Sequence, residues 1–365
     1  MNSSFSVQDT FAVKGIAILM MYIHHNFLSP ARWGKSFVDF WPLTEKLTVN
    51  VAVFFKICVS LFVFLSAYGL TIKYKEWINR NNKTANSLNF FFVANRLYKL
   101  ELNFWFIFVL ALLYSNVMGF GHFAKTYGSG GGAYLKCIID GLGLAYLFKM
   151  PSFNATWWYM SLAVLIIILF PVLFFCYKHI GCIIVVVSWL LPIAMNLPVK
   201  GDDFYRYLPC MFIGIWMADS SLLSLIYNKL KEMSVRKRYM LLSGSFVVIV
   251  LMAIFSMYCR KYLGNYSVPL FNAILAVLIV VWVYSALNNN DLWTVLAFLG
   301  KHSMNMFMTH TFLRAYWYHD FIYSFKYAWL DTLVLLVITL LLSIVIEKVK
   351  DISGYNRIVN RKLFS

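Results

Sequence analysis

Long stretches of this chain contain no Asp, Glu, Lys or Arg, and this feature limits its folds more than any other. The charge-free stretches run over residues 15–31, 57–72, 102–124, 150–177, 179–199, 239–259, 262–290 and 332–346. A helix that crosses the hydrocarbon core of a bilayer needs about 20 predominantly apolar residues. Most of these stretches are long enough, so the sequence predicts an integral membrane protein.

Composition excludes the main soluble classes. Hydrophobic residues make up 61% of the 365 residues and charged residues 13%, whereas soluble domains have about 45–50% apolar and about 25% charged residues. A soluble enzyme, a disordered protein and a secreted disulfide module are therefore excluded. The six cysteines contain no CxxC pair and lie mostly in apolar runs, which is typical of buried small side chains.

The predicted fold class is an all-α polytopic membrane protein, a single domain over 1–365 with a basic cytoplasmic tail over 349–365. Two further stretches, 204–226 and 295–317, carry isolated charges but are otherwise apolar. The ten predicted helices are 11–29, 48–72, 101–120, 157–177, 181–199, 204–226, 239–259, 267–287, 295–317 and 328–348. The segment 133–148 is too short for a crossing, and the GSGGG run at 128–132 predicts a flexible loop.

The distribution of basic residues predicts the orientation. The formal net charge is +17, which in a chain this apolar indicates the positive-inside bias and not a nucleic-acid partner. With ten crossings, seventeen Lys and Arg fall on the face that holds the N-terminus and ten on the other. Both termini are therefore predicted to be cytoplasmic.

A few polar side chains lie where lipid is expected. Such a group costs several kcal/mol unless it faces a cavity or a partner, so these residues are functional candidates. The set is Lys14, His24, His25, Lys56, Arg206, Lys301, His302, His310 and Arg314.

The first predicted helix places two of these residues on one face. Lys14 and His25 are eleven residues apart, about 1100° of rotation and roughly 16 Å along the axis, so the two side chains lie within about 20° of each other. One interpretation is that Lys14 meets an anionic group from the cytoplasm and His25 acts as a general base. The other is that Lys14 snorkels to the headgroups and His25 lies at the outer interface. The helix alone does not decide between them.

The ninth predicted helix carries a second polar stripe. Ser303 and His310 are seven residues apart and share a face, with Arg314 one turn further on. Taken alone, such a stripe favours interhelical hydrogen bonding, which polar membrane residues commonly provide, over catalysis. The seven histidines show no HExxH or other tight ligand spacing, so no metal site is predicted.

Several blocks resemble the acyltransferase-3 family of integral membrane proteins. The family's first helix carries an Arg or Lys and a His with ten residues between them, and Lys14 and His25 match this pattern with the rarer Lys. SLFVFLSAYGL at 60–70 is similar to its second-helix block, with Ala67 in place of Gly. NRLYKLELNFW at 95–105 resembles its basic block, and WWYMSLAVLIIILFP at 157–171 its Trp-to-Pro block, with Ala163 where a Glu is frequent. RYLPCMFIGIWMA at 206–218 and LGKHSMNMFMTHTFL at 299–313 resemble its late blocks, the latter containing His310.

This resemblance implies transfer of an acyl group, most often acetyl, from cytoplasmic acetyl-CoA or another acyl-CoA. The implied acceptor is a hydroxyl of a cell-surface polysaccharide or its lipid-linked precursor. Lys14, with Arg96 and Lys99, would bind the donor phosphates. His25 would be the general base, either directly or through an acyl-enzyme step, because an imidazole pKa lies near neutrality, and His310 would be a second catalytic candidate. No metal cofactor is expected.

Two other function classes stay open, and the weaker is a membrane scaffold without chemistry, which would leave the shared face of Lys14 and His25 unexplained. Ten helices with His, Lys and Arg at membrane depth would also suit a transporter or flippase for a glycan or lipid-linked substrate. An acyltransferase requires an acyl thioester and a transporter does not, so donor dependence separates the two. Both alternatives place the protein in the cell membrane, a bacterial inner membrane or a plasma membrane, with lipid and a glycan as partners.

Overall fold

The computed structural model describes residues 5–81, 85–197, 199, 202–287 and 290–361. Lys83, Lys200 and the last four residues of the predicted tail, 362–365, lie outside the described residues. Within those ranges the chain is helical and contains no strand. The α-helices are α1 Val7–Phe27, α2 Glu45–Phe54, α3 Cys58–Asn81, α4 Ala85–Val117, α5 His122–Tyr127, α6 Gly131–Gly141, α7 Trp158–Ile180, α8 Ile184–Ala194, α9 Leu208–Asp219, α10 Leu222–Glu232, α11 Val235–Leu263, α12 Val268–Leu287, α13 Asp291–Thr311, α14 His319–Ile322, α15 Ala328–Ile352 and α16 Tyr355–Asn360.

The helices pack into two compact units, each assembled from separate stretches of chain. The first unit consists of Met1–Arg32, Pro42–Glu76 and Pro171–Ser303. The second consists of Trp33–Trp41, Trp77–Phe170 and Met304–Ser365.

The predicted all-α polytopic class is confirmed, while the number of crossings stays a prediction. Within the described ranges, six helical stretches are long and apolar enough to span a membrane, or seven if α9 and α10 form one bent span. One of the six, Ala155–Ala194, has 40 residues, twice the roughly 20 that a single crossing needs. It contains α7, a 3-10 turn at Gly181–Ile183 and α8, so the break between the predicted helices 157–177 and 181–199 lies about three residues later than the sequence indicates.

In the first unit, α9 packs against α8 and α12, and α11 packs against α12. Here the predicted helix 204–226 is two helices, α9 and α10, that meet at 64°. The bend follows Asp219, whose carboxylate pairs with Lys75 Nζ at 2.8 Å and Lys178 Nζ at 2.7 Å. Ser221 at the bend has φ +54°, a left-handed conformation that ends a helix. The two ion pairs hold the end of α9 to α3 and α7.

In the second unit an aromatic core lies between α4, α7 and the end of α13. Phe104 and Trp157 pack edge to face with ring centroids 4.9 Å apart, and Phe312 packs on Trp157 at 5.5 Å. The Trp157 indole donates a hydrogen bond to Met308 O at 3.2 Å. Such pairs favour edge-to-face geometry because the positive ring edge meets the negative ring face.

One helix boundary in this unit, and the packing of the basic tail, differ from the sequence prediction. The third predicted helix, 101–120, begins at Ala85 instead. Its more polar first half continues into the apolar half without a break, so the charge-free stretch marks only the second half of the helix. The basic tail is not a free extension. Its helix α16 lies on α4, where the Tyr355 hydroxyl donates to Leu102 O at 2.7 Å and the Tyr98 hydroxyl donates to Ile358 O at 3.3 Å.

The connection between α4 and α7 folds around one buried carboxylate. Oδ2 of Asp140 accepts hydrogen bonds from the Tyr127 hydroxyl and from Phe153 N, each at 2.6 Å. Burial raises the pKa of Asp140 although both donors oppose that change. In the GSGGG run, Gly128 and Gly130, at φ +85° and +84°, make the turn between α5 and α6, and Gly131 begins α6, while the flexibility of this run stays a prediction.

Asp140→Ala is predicted to lower the free energy of unfolding by about 1–3 kcal/mol, because two buried donors lose their acceptor. Asp140→Asn keeps an oxygen acceptor and should cost less. Because burial raises the pKa of Asp140 in the folded state, protonation of its carboxyl favours folding. This pH-dependent part of the free energy of unfolding is complete below pH 3.8, the ordinary pKa, and is lost as pH rises through the raised pKa. Thermal unfolding measured against pH checks both points, and equal stability loss in the Asn and Ala variants would contradict the account.

Candidate active site

Helix α1 carries Lys14 and His25 through the first unit. A capping box starts it, since the Ser6 hydroxyl accepts from Asp9 N and the Asp9 carboxylate accepts from Ser6 N. No residue from Asp9 to Ser29 is exposed. A helix buried on all sides is normally hydrophobic all round, so the polar residues in α1 are exceptional.

Two glycines bring α1 and α13 into backbone contact. A Cβ on Gly15 would lie 2.1 Å from Leu296 O, and a Cβ on Gly300 would lie 1.8 Å from Phe11 O. Small residues allow helices to approach this closely and to gain dispersion contacts along the seam. The Trp293 indole also donates to Asp9 Oδ1 at 3.3 Å. The position of α1 is therefore set along its first half.

His24 holds the other half of α1. Its Nδ1 lies 2.7 Å from Ala52 O on α2, and its ring is 5% exposed. A carbonyl only accepts, so Nδ1 carries the proton and donates. The ring of His25 packs edge to face on that of His24, with centroids 5.0 Å apart. The bond from His24 thus fixes the rotation of the helix end on which His25 lies.

Lys14 and His25 lie on one unbroken α-helix. Their eleven-residue spacing therefore places them on a common face, roughly 16 Å apart along the helix axis. Both side chains are half-buried. Lys14 Nζ lies 6.0 Å from the centre of the Phe11 ring, and within the described part of the chain Lys14 forms no ion pair with a carboxylate. The first unit thus holds a cation and an imidazole on one track.

Arg96 and Lys99 lie within α4, in the second unit, and not ahead of the helix. They are one turn apart and half-buried, and the Arg96 guanidinium lies 5.3 Å from the centre of the Phe92 ring. Helix α16 packs beside this turn through Tyr98 and adds the exposed Arg357. No sequence signal indicated this contribution, because a short basic segment near a terminus is typical of a free tail.

His310 also belongs to the second unit and is fully buried. Nδ1 lies 2.6 Å from Phe307 O and must donate to it, so in the neutral ring Nε2 accepts from the Thr311 hydroxyl at 3.0 Å. Thr311 Oγ1 also lies 3.3 Å from Thr156 Oγ1, and the Thr156 hydroxyl donates to Asn154 Oδ1 at 2.7 Å, so in this protonation state the two threonine hydroxyls are in contact without a proton between them. In this arrangement both nitrogens of His310 make hydrogen bonds, so proton transfer by His310 would need a rearrangement.

The polar stripe on α13 ends in a π-helix that the sequence pattern did not predict. Phe312–Trp317 adopts this wider turn, which changes the 3.6-residue register and moves Arg314 away from the expected continuation of the stripe. Arg314 is 2% exposed, and its Nε has no hydrogen-bond partner within the described residues. Segments of π-helix occur frequently at functional sites.

The sequence of the chain matches one family of known proteins over most of its length. Residues 12–348 match the acyltransferase-3 family, whose description is acyltransferase domain. The chain belongs to the acyltransferase-3 family. The match covers α1 to α15 and includes all five predicted site residues. The protein is accordingly a multi-pass membrane acyltransferase. A comparison with curated proteins finds no match, and a comparison with solved structures also finds none.

Gly300→Ala is predicted to destabilise the acyltransferase by about 1–3 kcal/mol, because the added methyl overlaps Phe11 O. Gly244→Ala in α11 is the matched control, since a Cβ there meets nothing within 4 Å and alanine is favoured over glycine in a helix by about 0.5–1 kcal/mol. Thermal unfolding in detergent compares the two variants. Equal stability of both would show that the close approach of α1 and α13 carries no energetic weight.

Proposed function

We propose that this acyltransferase moves an acyl group from a cytoplasmic acyl-CoA to a hydroxyl of a cell-surface polysaccharide or its lipid-linked precursor, and that the acyl group is acetyl. The observation that carries the proposal is the pair Lys14 and His25 on one face of α1, within a chain that matches the family over residues 12–348. The proposed site of action is the cell membrane. Acyl-CoA is the donor, and no metal takes part.

In the proposed reaction, His25 removes the proton from the acceptor hydroxyl as its oxygen attacks the thioester carbonyl. The carbon–sulfur bond then breaks, the acyl group forms an ester with the acceptor, and CoA leaves as a thiol after gaining a proton. Neutral imidazole suits this role because it both accepts and returns a proton near pH 7. The bond from His24 to Ala52 O supports it, since it orients the helix end that holds His25.

Cations would bind the phosphates of the donor. Lys14 contributes a charge that no described carboxylate neutralises by an ion pair. Arg96 and Lys99 supply a second basic turn on α4, beside Arg357 on α16. Phosphates favour Arg because its guanidinium donates two parallel hydrogen bonds.

The transporter or flippase alternative predicts a different outcome for the same variants. His25→Ala is expected to abolish acylation of surface glycans, while His24→Ala should reduce acylation without abolishing it, because loss of the bond to Ala52 O loosens the helix end that holds His25. Mass spectrometry of glycans from cells with matched protein levels detects the missing acyl mass. An unchanged acyl pattern together with reduced glycan export would instead favour transport.

Lys14 is predicted to act through its charge at the donor. Lys14→Arg should keep most activity, whereas Lys14→Ala should raise KM for acetyl-CoA by about tenfold, the loss expected for one charge-assisted contact of about 1.4 kcal/mol. Initial rates of CoA release against donor concentration measure this change. If Lys14→Ala alters only the amount of folded protein, Lys14 is a snorkelling residue.

A further inference from the structure

A basic cavity in the first unit is used by none of the steps above. It has a volume of about 330 Å³, and it lies between the turn after α2, the turn before α9, the end of α11 and the start of α12. That volume is within the roughly 300–1,000 Å³ typical of small-molecule sites. The polar residues that line it are Lys56, Arg206, Ser256, Arg260, Lys261 and Asn272.

Arg206 forms the buried wall of this basic cavity. It is 3% exposed, and its Nε and Nη1 have no hydrogen-bond partner among the described residues. A buried guanidinium without an acceptor is costly, because burial removes its hydration and nothing replaces it. An anion in the cavity would supply a partner for the charge of this guanidinium.

The charges around Arg206 also favour an anion in the cavity. Lys56, Arg206 and Arg260 repel one another across it. Asp202 attracts both Lys56 and Arg206, and Asp203 attracts Arg206, but this attraction provides no acceptor for Nε or Nη1 of Arg206 within the ranges that the structure describes. Like charges held this close are unfavourable unless a counter-ion joins them.

The surroundings of the basic cavity favour an anion carried by a lipid. Only 6% of the apolar stretch of α11 is buried, so most of that helix is left for lipid. Phe255 and Tyr258 are exposed there, near the cavity residue Arg260 on the same helix. A phosphate that enters beside α11 can therefore keep its acyl or prenyl chains against this apolar surface.

We propose that the basic cavity binds the phosphate group of a membrane lipid, with Arg206 as its buried ligand and Arg260 at its rim. In the predicted topology the end of α11 faces the outer side of the membrane, so the lipid comes from the outer half of the bilayer. In the proposed complex the phosphate oxygens accept hydrogen bonds from the Arg206 guanidinium. This site does not depend on the acyl transfer proposed above.

The test uses the purified full-length protein in a non-ionic detergent. Thermal unfolding is titrated with dioleoylphosphatidylglycerol, with dioleoylglycerol, which has the same chains but no phosphate, and with inorganic pyrophosphate. Phosphatidylglycerol should stabilise the wild type and bind at least about tenfold more weakly to Arg206→Gln, as expected when charge-assisted hydrogen bonds are lost. Lys46→Gln, an exposed cation of the same unit outside the cavity, is the matched control and should bind as the wild type does.

Arg260→Gln keeps the test decisive if Arg206→Gln does not fold, because Arg260 is exposed. It should weaken phosphatidylglycerol binding several-fold. Binding by both arginine variants that equals binding by Lys46→Gln would overturn the proposal. Equal binding of dioleoylglycerol would overturn it by showing that the phosphate is not recognised, and pyrophosphate binding as tight as that of the lipid would assign the cavity to a soluble anion.

Discussion

The cost of placing polar side chains in a buried helix is the constraint on which this structure depends. Helix α1 is enclosed from Asp9 to Ser29 and still carries Lys14 and two histidines. Such groups persist only where a partner, a cavity or a ligand compensates for lost hydration. His24 has its partner in Ala52 O, and the donor and acceptor of the proposed reaction would meet Lys14 and His25.

The packing around α1 makes that arrangement rigid. The glycine contacts with α13 leave no room for a side chain between the two backbones, and the capping box fixes where the helix begins. A catalytic base has to be held close to its productive geometry, and packing together with hydrogen bonds to neighbouring groups provides this. The first unit therefore positions His25 through residues that take no part in the proposed chemistry.

Sequence patterns predicted the broad architecture and the polar face of α1. Charge-free stretches indicate helices directly, because each must satisfy its own backbone in lipid, and the spacing of Lys14 and His25 needs only an unbroken helix. Contacts between distant stretches were not predictable. The backbone approach at Gly300, the acceptor of His24, the docking of α16 on α4 and the π-helix at Phe312–Trp317 all depend on tertiary packing that no local pattern encodes.

Donor dependence is the most direct test of acyl transfer by this family member. Membranes that contain the wild type or His25→Ala, matched for protein amount, are incubated with acetyl-CoA labelled in its acetyl group. The account predicts label in the glycan fraction, with release of an equal amount of CoA, for the wild type only. Equal labelling by both forms would remove His25 from the mechanism, and no labelling by either form with intact glycan export would contradict acyl transfer itself.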